Sequence, residues 1–295
     1  MKTSRILALG TGCAALAVAA CQKVPYTGRR QLNLIPSGIM NSVGQSSYAA
    51  TLSEAHVQKR GEDNETLQRV GGRISKVASE PKFAWEFSLL DEDEINAWCL
   101  PGGYIAFYTG ILPVLANESG MAFVMGHEVA HATAHHGSER LSQQLTLLGG
   151  LVGLELYLAN QTELTPEQRG ILLASIGLGA EVGVMLPFSR SHEAEADIIG
   201  MMYMAEAGYP PEESKELWDR MEALSPSTVP AFLSTHPSND RRKANLQEWM
   251  PEARKKYERN KLGGDPLATL WAGGGASGGS SKEDQGRGRS RAEQP

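Results

Sequence analysis

The sequence predicts an α+β fold, mostly helical with a small β-sheet set beside one buried helix. Three observations predict it: apolar residues recur at helical spacing over most of the chain, β-prone runs are confined to residues 83–108, and an uninterrupted apolar stretch follows them at 121–125. Hydrophobic residues make up 41% of the 295, enough for a real core. With both ends removed, about 240 residues remain, a length that suits one domain, or a domain with a helical subdomain, better than two independent units. The expected domain runs from 38 to 261.

Residues 38–78 are expected to be helical in two pieces, with Leu67, Val70, Ile74 and Val77 on one face and Gly71-Gly72 as a weak point. Strands are expected at 83–90, at 95–98 and, after the turn Pro101-Gly102-Gly103, at 104–108. The next helix is apolar on all sides, with Met121, Ala122, Phe123, Val124 and Met125 leading into His127-Glu128-Val129-Ala130-His131. Residues 141–158 and 165–186 read as an apolar helical pair interrupted by Glu155 and Glu181. Neither reaches the eighteen or so uncharged residues expected of a membrane span, which leaves a buried and a membrane-facing hairpin both open. Helices follow at 191–207, ended by Gly208-Tyr209-Pro210-Pro211, and at 212–223. Glycine, serine and mixed charges from 262 to 295 predict a disordered tail.

The first twenty residues read as an address. Lys2 and Arg5 precede an apolar run, Ile6 to Ala20, too short for a comfortable span and typical of a signal peptide. The run ends Val18-Ala19-Ala20-Cys21, which resembles a bacterial lipobox and makes Cys21 the expected lipidation site, with 21–37 as a lipidated linker. Gln22, rather than Asp, follows the cysteine, and that pattern implies sorting to the outer membrane, facing the periplasm. With Cys13 in the signal peptide and Cys21 lipidated, Cys99 stands alone, so no intramolecular disulfide is expected. A net charge of −6 and the absence of a basic stripe argue against a nucleic-acid partner.

The chemistry sits in HExxH. Residues four apart stand one above the other on a helix, so the imidazoles of His127 and His131 can share one metal ion. Glu128 lies about 100° further round the helix, placed to take a proton from a metal-bound water as general base. Two histidines and a glutamate inside a buried helix need partners, and a metal is the simplest. A hydrolytic zinc needs a third protein ligand and an open position. In Ser189-Arg190-Ser191-His192-Glu193-Ala194-Glu195-Ala196-Asp197, Glu193 and Asp197 share a face, whereas Glu195 points elsewhere. Glu193 is the expected third ligand of one Zn2+ per chain. Asp197 is expected to accept the second N–H of a ligating imidazole, His127. His136 should be rotated away from the metal, and His192 and His56 are expected to be solvated or structural. Ala134 and Gly137 stand where HExxHxxGxxH would need glycine and a third histidine.

These motifs resemble the M48 family of zinc metallopeptidases, in which HExxH pairs with an ExxxD helix. Asn96-Ala97-Trp98-Cys99-Leu100-Pro101-Gly102-Gly103 resembles the family's NAxxxPGG strand and turn, and Thr235-His236-Pro237 with Arg242 resembles its THPxxxxR segment. Val24-Pro25-Tyr26-Thr27-Gly28-Arg29-Arg30-Gln31-Leu32 is similar to the opening of the family's lipoprotein branch. The resemblance covers residues 24–250 and implies a gluzincin-like metalloprotease domain, with His236 close to the metal as an oxyanion donor or as a plug in its open position; packing of the His-Pro turn is the other role open to it. Attack by a metal-activated water needs an extended substrate, for which the Tyr104–Tyr108 strand beside the zinc helix is the expected edge; with the N-terminal address this gives an envelope-anchored endopeptidase cleaving extended or misfolded proteins, in protein quality control. The alternative is a zinc-bearing outer-membrane assembly or chaperone factor whose peptidase activity is latent.

Overall fold

The computed structural model describes residues 21–78, 80, 82–161, 164–180, 185–224, 230–237, 240–263, 266–267 and 270. The expected signal peptide and the tail from 271 lie outside the described residues. In chain order, a hairpin of β1 (Cys21–Lys23) and β2 (Arg30–Leu32) leads to helices α1 (Ser37–Glu54) and α2 (Glu62–Ala78). Strands β3 (Glu86–Leu90), β4 (Ala97–Leu100) and β5 (Tyr104–Tyr108) precede a 3-10 turn, the short α3 (Leu112–Leu115) and α4 (Glu118–Thr133). Then come α5 (His136–Gln161), α6 (Pro166–Ala180), α7 (Leu186–Glu206), α8 (Glu213–Glu222), the single turn α9 (Ala231–Thr235) and α10 (Asp240–Asn260). A mostly helical α+β domain with a small sheet is thus what the chain forms.

Helix α4 is buried on every side, as its all-round apolar sequence requires, with Met121, Met125 and Val129 fully inaccessible. Asn117 caps it by accepting from the Gly120 N–H at 2.8 Å. It crosses α7 at two glycines, and a Cβ on Gly126 would stand 2.7 Å from the Gly200 carbonyl oxygen. That close approach sets the two chemically important helix faces against each other, and α10 packs on the outer side of α7. On α2, Leu67, Val70 and Ile74 are buried at the predicted spacing. Gly71-Gly72 is no break. The helix runs through it, because a Cβ on Gly71 would meet the Phe87 ring at 2.5 Å and glycine is what lets β3 approach.

The sheet order is β3-β5-β4, with β5 parallel to β3 and antiparallel to β4. This corrects one expectation: Tyr104–Tyr108 is the central strand, paired on both sides, and cannot receive a substrate. β3 and β4 are the two edge strands, and β4 packs beside α4. The β4–β5 turn passes through Gly102 and Gly103 at φ 97° and 90°, where an L side chain would be strained.

The segment 21–37 is not a free linker. β1 and β2 pair in register, Val24 and Gln31 are buried, and the Leu34 N–H donates to Ser142 Oγ on α5 at 2.9 Å. At the other end, the Leu262 N–H reaches the Gly208 carbonyl at 3.4 Å and the Leu270 N–H reaches Ala116 at 2.8 Å, so the expected tail begins with residues tied back to the domain. The α5–α6 hairpin exposes Leu148, Val152, Leu156, Tyr157 and Ile171, so it is not a buried pair. No helix among the described residues is long and apolar enough to cross a membrane.

Candidate active site

One turn of α4 presents His127 and His131 to the same point, and the α7 crossing brings Glu193 to it. The Nε2 atoms of His127 and His131 are 3.2 Å apart. Glu193 brackets them, with Oε2 3.4 Å from His127 Nε2 and Oε1 3.4 Å from His131 Nε2. His236, at the C-terminal end of α9, completes the group, its Nδ1 lying 3.1 Å from His127 Nε2 and 2.9 Å from Glu193 Oε2. Donors held at about 2.0–2.1 Å around one tetrahedral zinc are separated by roughly 3.3 Å. The observed separations match that edge length, and all four donor atoms lie within 4.8 Å of one another. The residues present therefore fit a zinc-sized divalent ion.

Hydrogen bonds behind the ligand face fix the ring orientations. His127 Nδ1 donates to Asp197 Oδ1 at 3.0 Å, which leaves Nε2 as a lone-pair donor. Arg242, 1% exposed, forks onto the same carboxylate, Nε to Oδ2 at 2.6 Å and Nη2 to Oδ1 at 2.7 Å. Its Nη1 also donates to the carbonyls of His236 and Pro237, and its guanidinium lies over the Trp218 ring. Arg242 therefore ties the His236 turn to the α4–α7 crossing. Sequence reading quoted Arg242 without giving it a task, and its place in the His-Pro segment was the available signal.

The charges around the donor set favour a cation. Burial opposes charge on His127, but Asp197 and Glu193 outweigh it and raise its pKa to about 9. Burial dominates at His131 and lowers it to about 3, despite Glu193. Burial would raise Glu193, and the surrounding imidazoles instead hold it well below the usual carboxylate range. Glu128 stands apart from this pairing. Its Oε1 is buried without a hydrogen-bond partner, and His236 Nε2 is 3.4 Å away. Such an atom is an acceptor aimed at whatever proton enters the site.

Glu128, His131, Glu193 and His236 line a cleft of about 290 Å³, together with Trp98 and Cys99 of β4. That volume accepts a few residues of extended chain, not a folded domain. A second buried layer lies behind His131. His136 and His192, expected to be off the ligand face, are off it, yet both are buried; they stack with ring centroids 4.2 Å apart. Burial lowers the His136 pKa to about 4 against the pull of Glu195. Cys21 is the first residue of β1, on the opposite side of that hairpin's turn from Arg30.

A family model described as Peptidase family M48 matches residues 62–250. Among relatives, mitochondrial metalloendopeptidase OMA1 of Schizosaccharomyces pombe is 34% identical over 240 residues, covering 80% of this chain and 68% of that protein. OMA1 of Saccharomyces cerevisiae is 35% identical over 184 residues, 60% of this chain and 50% of that protein. The beta-barrel assembly-enhancing protease of Escherichia coli is 29% identical over 188 residues, 61% of this chain and 37% of that protein. The chain thus spans half or less of the latter two. Because the matched region exceeds half of the sequence and includes all four donor residues, the chain belongs to peptidase family M48 and is a metalloendopeptidase.

Proposed function

We propose that the protein is a zinc endopeptidase of the bacterial envelope that cleaves extended or misfolded polypeptides, with His127, His131 and Glu193 holding one Zn2+ and Glu128 acting as general base. Zinc held by such a set acidifies a water toward neutral pH and polarises the scissile carbonyl. The observation that carries the reading is the buried Glu128 Oε1 beside the ligand face, which has no hydrogen-bond partner and faces His236 Nε2 at 3.4 Å. From there Glu128 accepts the proton of the attacking water and returns it to the leaving amine. Asp197 keeps the His127 Nδ1 proton in place, so that Nε2 remains a ligand. Substrate extends along the β4 edge, where main-chain pairing supplies affinity without demanding a particular side chain.

His236 decides when this happens. Its Nδ1 stands at the fourth corner of the donor set, where the reactive water belongs, which favours the plug over the oxyanion donor. A plugged site also supports the second reading, an assembly or chaperone factor with latent peptidase activity; one relative's name, beta-barrel assembly-enhancing protease, joins both ideas. Lipid attachment at Cys21 to the outer membrane would place the cleft beside newly translocated, unfolded chains.

An assay of the full chain on an unfolded substrate such as casein tests the reading. Glu128→Gln is expected to keep its zinc and lose about 10²–10⁴ in turnover, because an amide preserves shape but takes no proton. Comparable cleavage by mutant and wild type would reject the role. In the same assay His236→Ala should raise cleavage if the plug holds and depress it if His236 serves the oxyanion. Cys21→Ser should release the protein from the membrane fraction; unchanged retention would reject the anchor.

A further inference from the structure

His131 is held from behind by a chain of hydrogen bonds that ends in the N-terminal hairpin. Its Nδ1 lies 3.0 Å from His136 Nδ1, and His136 Nε2 lies 3.0 Å from Glu195 Oε2. Glu195 also accepts from Arg29 Nε at 2.9 Å and from Thr27 Oγ1. The rest of the Arg29 fork grips Glu139, Nη1 to Oε1 at 2.9 Å and Nη2 to Oε2 at 2.8 Å. Glu139 accepts in turn from His192 Nε2 at 2.9 Å. Thr27 and Arg29 belong to the turn between β1 and β2, closed by the Val24 N–H on the Arg29 carbonyl at 2.9 Å and seated by the buried Val24 side chain. Arg29 is separated from Glu139 by 110 residues and from Glu195 by 166, so the contact is tertiary.

The donors fix the direction of the whole chain. An ionised carboxylate only accepts, so His136 must give its Nε2 proton to Glu195. In a neutral imidazole the other nitrogen then accepts, so His136 Nδ1 takes the Nδ1–H of His131. That leaves the lone pair of His131 on Nε2, the atom 3.2 Å from His127 Nε2. Without the Glu195 acceptor, His136 is free to adopt the other tautomer or to turn about its side-chain bonds. It would then offer a proton to His131 Nδ1 and favour the tautomer of His131 that carries its proton on Nε2, which binds no metal.

We propose that Glu195 and Arg29 are positioning residues for the second zinc ligand, acting through His136, so that the hairpin following Cys21 is part of the metal site. The proposal rests on the reading of His131 as a ligand. Neither residue is among the four donors grouped around His127. Their charge-assisted bonds hold one imidazole, and that imidazole holds another. A consequence is that displacing the hairpin from α5 and α7 lowers metal affinity without altering any ligand.

Zinc affinity of the full chain in detergent, stripped with a chelator and titrated against a fluorescent zinc indicator, tests this without recourse to cleavage. Glu195→Ala, Arg29→Ala and His136→Ala are expected to weaken zinc binding by about 10–100-fold, as loss of such outer partners typically does. The Glu195→Ala/His136→Ala double variant should be no weaker than His136→Ala, since both changes break one chain. Val24→Ala, which loosens the seating of the hairpin without removing Thr27, Arg29 or Glu195, should lower zinc affinity in the same direction but by less than Arg29→Ala. Glu195→Gln keeps an acceptor for His136 and should recover much of the alanine loss. If the alanine variants do not fold, Arg29→Lys decides: it keeps the charge but not the fork, and should still weaken zinc several-fold. Wild-type affinity in the folded Glu195 and Arg29 variants would overturn the proposal, as would fully additive losses in the double variant. His131→Ala separates the two levels: if it too retains wild-type affinity, the ligand reading has failed, and not merely its support.

Discussion

His127 and His131 stand one turn apart on α4, and the groups behind them differ in length, charge and origin. Behind His127 a single carboxylate, Asp197, is fully inaccessible and is met directly by the Arg242 guanidinium. Behind His131 an imidazole comes first, and the charges, Glu195 and Arg29, are one step further out. The first support is closed within the helices that form the cleft, α4, α7 and α10. The second borrows a residue from a hairpin at the start of the described chain, with its Arg29 side chain 26% exposed. A buried charge pair is rigid but costly to break, because the surviving ion has no water to turn to. A partly exposed arginine is replaceable by solvent, so the second support is softer and better suited to being altered from outside.

The largest effect should therefore follow from Arg242→Ala. It leaves Asp197 buried without its guanidinium partner and with only the His127 Nδ1–H, at a cost of up to about 3–5 kcal/mol. In a domain of this size that corresponds to a fall in Tm of roughly 6–20 °C. Arg29→Ala should lower Tm by clearly less. Thermal unfolding of both variants, with zinc removed, measures the difference; equal losses, or a larger loss at Arg29, would break the distinction between the two supports.

Stability and ligand positioning can be pulled apart at the first support. Asp197→Leu with Arg242→Met replaces the ion pair by apolar groups of similar volume, and such exchanges are often neutral or stabilising. The double variant should thus recover most of the Tm lost in Arg242→Ala. Its zinc affinity should nonetheless remain about 10–100-fold below wild type, since nothing then accepts the His127 Nδ1 proton. Recovery of both Tm and zinc affinity would mean that Asp197 serves folding alone.

How far these supports were legible in the sequence follows from the same geometry. Spacing of four residues was enough to put His127 with His131 and Glu193 with Asp197, because helix periodicity is local. It was also enough to send Asp197 to His127. His136, His192 and Glu195 lie off the ligand face, but for His136 helix periodicity is not the cause, since α4 ends at Thr133 and His136 opens α5, and a position on a helix says nothing of what surrounds it. At the buried start of α5 and along the buried part of α7, off the face meant into a second layer of polar groups, joined across 53 residues at His192–Glu139 and 59 at His136–Glu195. Arg29 was visible only as part of a motif. The strand order failed for a related reason. Which of three short strands is central depends on a parallel pairing between β3 and β5, and no local pattern in Tyr104–Tyr108 encodes it.

The smallest effect should come from His192, and it separates two ways of holding His136. The rings of His136 and His192 stack at 10° and 4.2 Å, and His192 also donates to Glu139. Stacking is worth about 0.5–1.5 kcal/mol and resists tilting of the His136 ring, but it does not specify which nitrogen carries the proton. The hydrogen bond to Glu195 does. His192→Ala is therefore expected to lower Tm by a few degrees while zinc affinity stays within about threefold of wild type, well short of the loss expected for an outer partner. Glu139 keeps its Arg29 partner in that variant, so no buried carboxylate is left without a cation. If His192→Ala instead costs as much zinc affinity as His136→Ala, ring packing rather than the path through Glu195 orients His131, and the N-terminal hairpin contributes bulk to the site in place of direction.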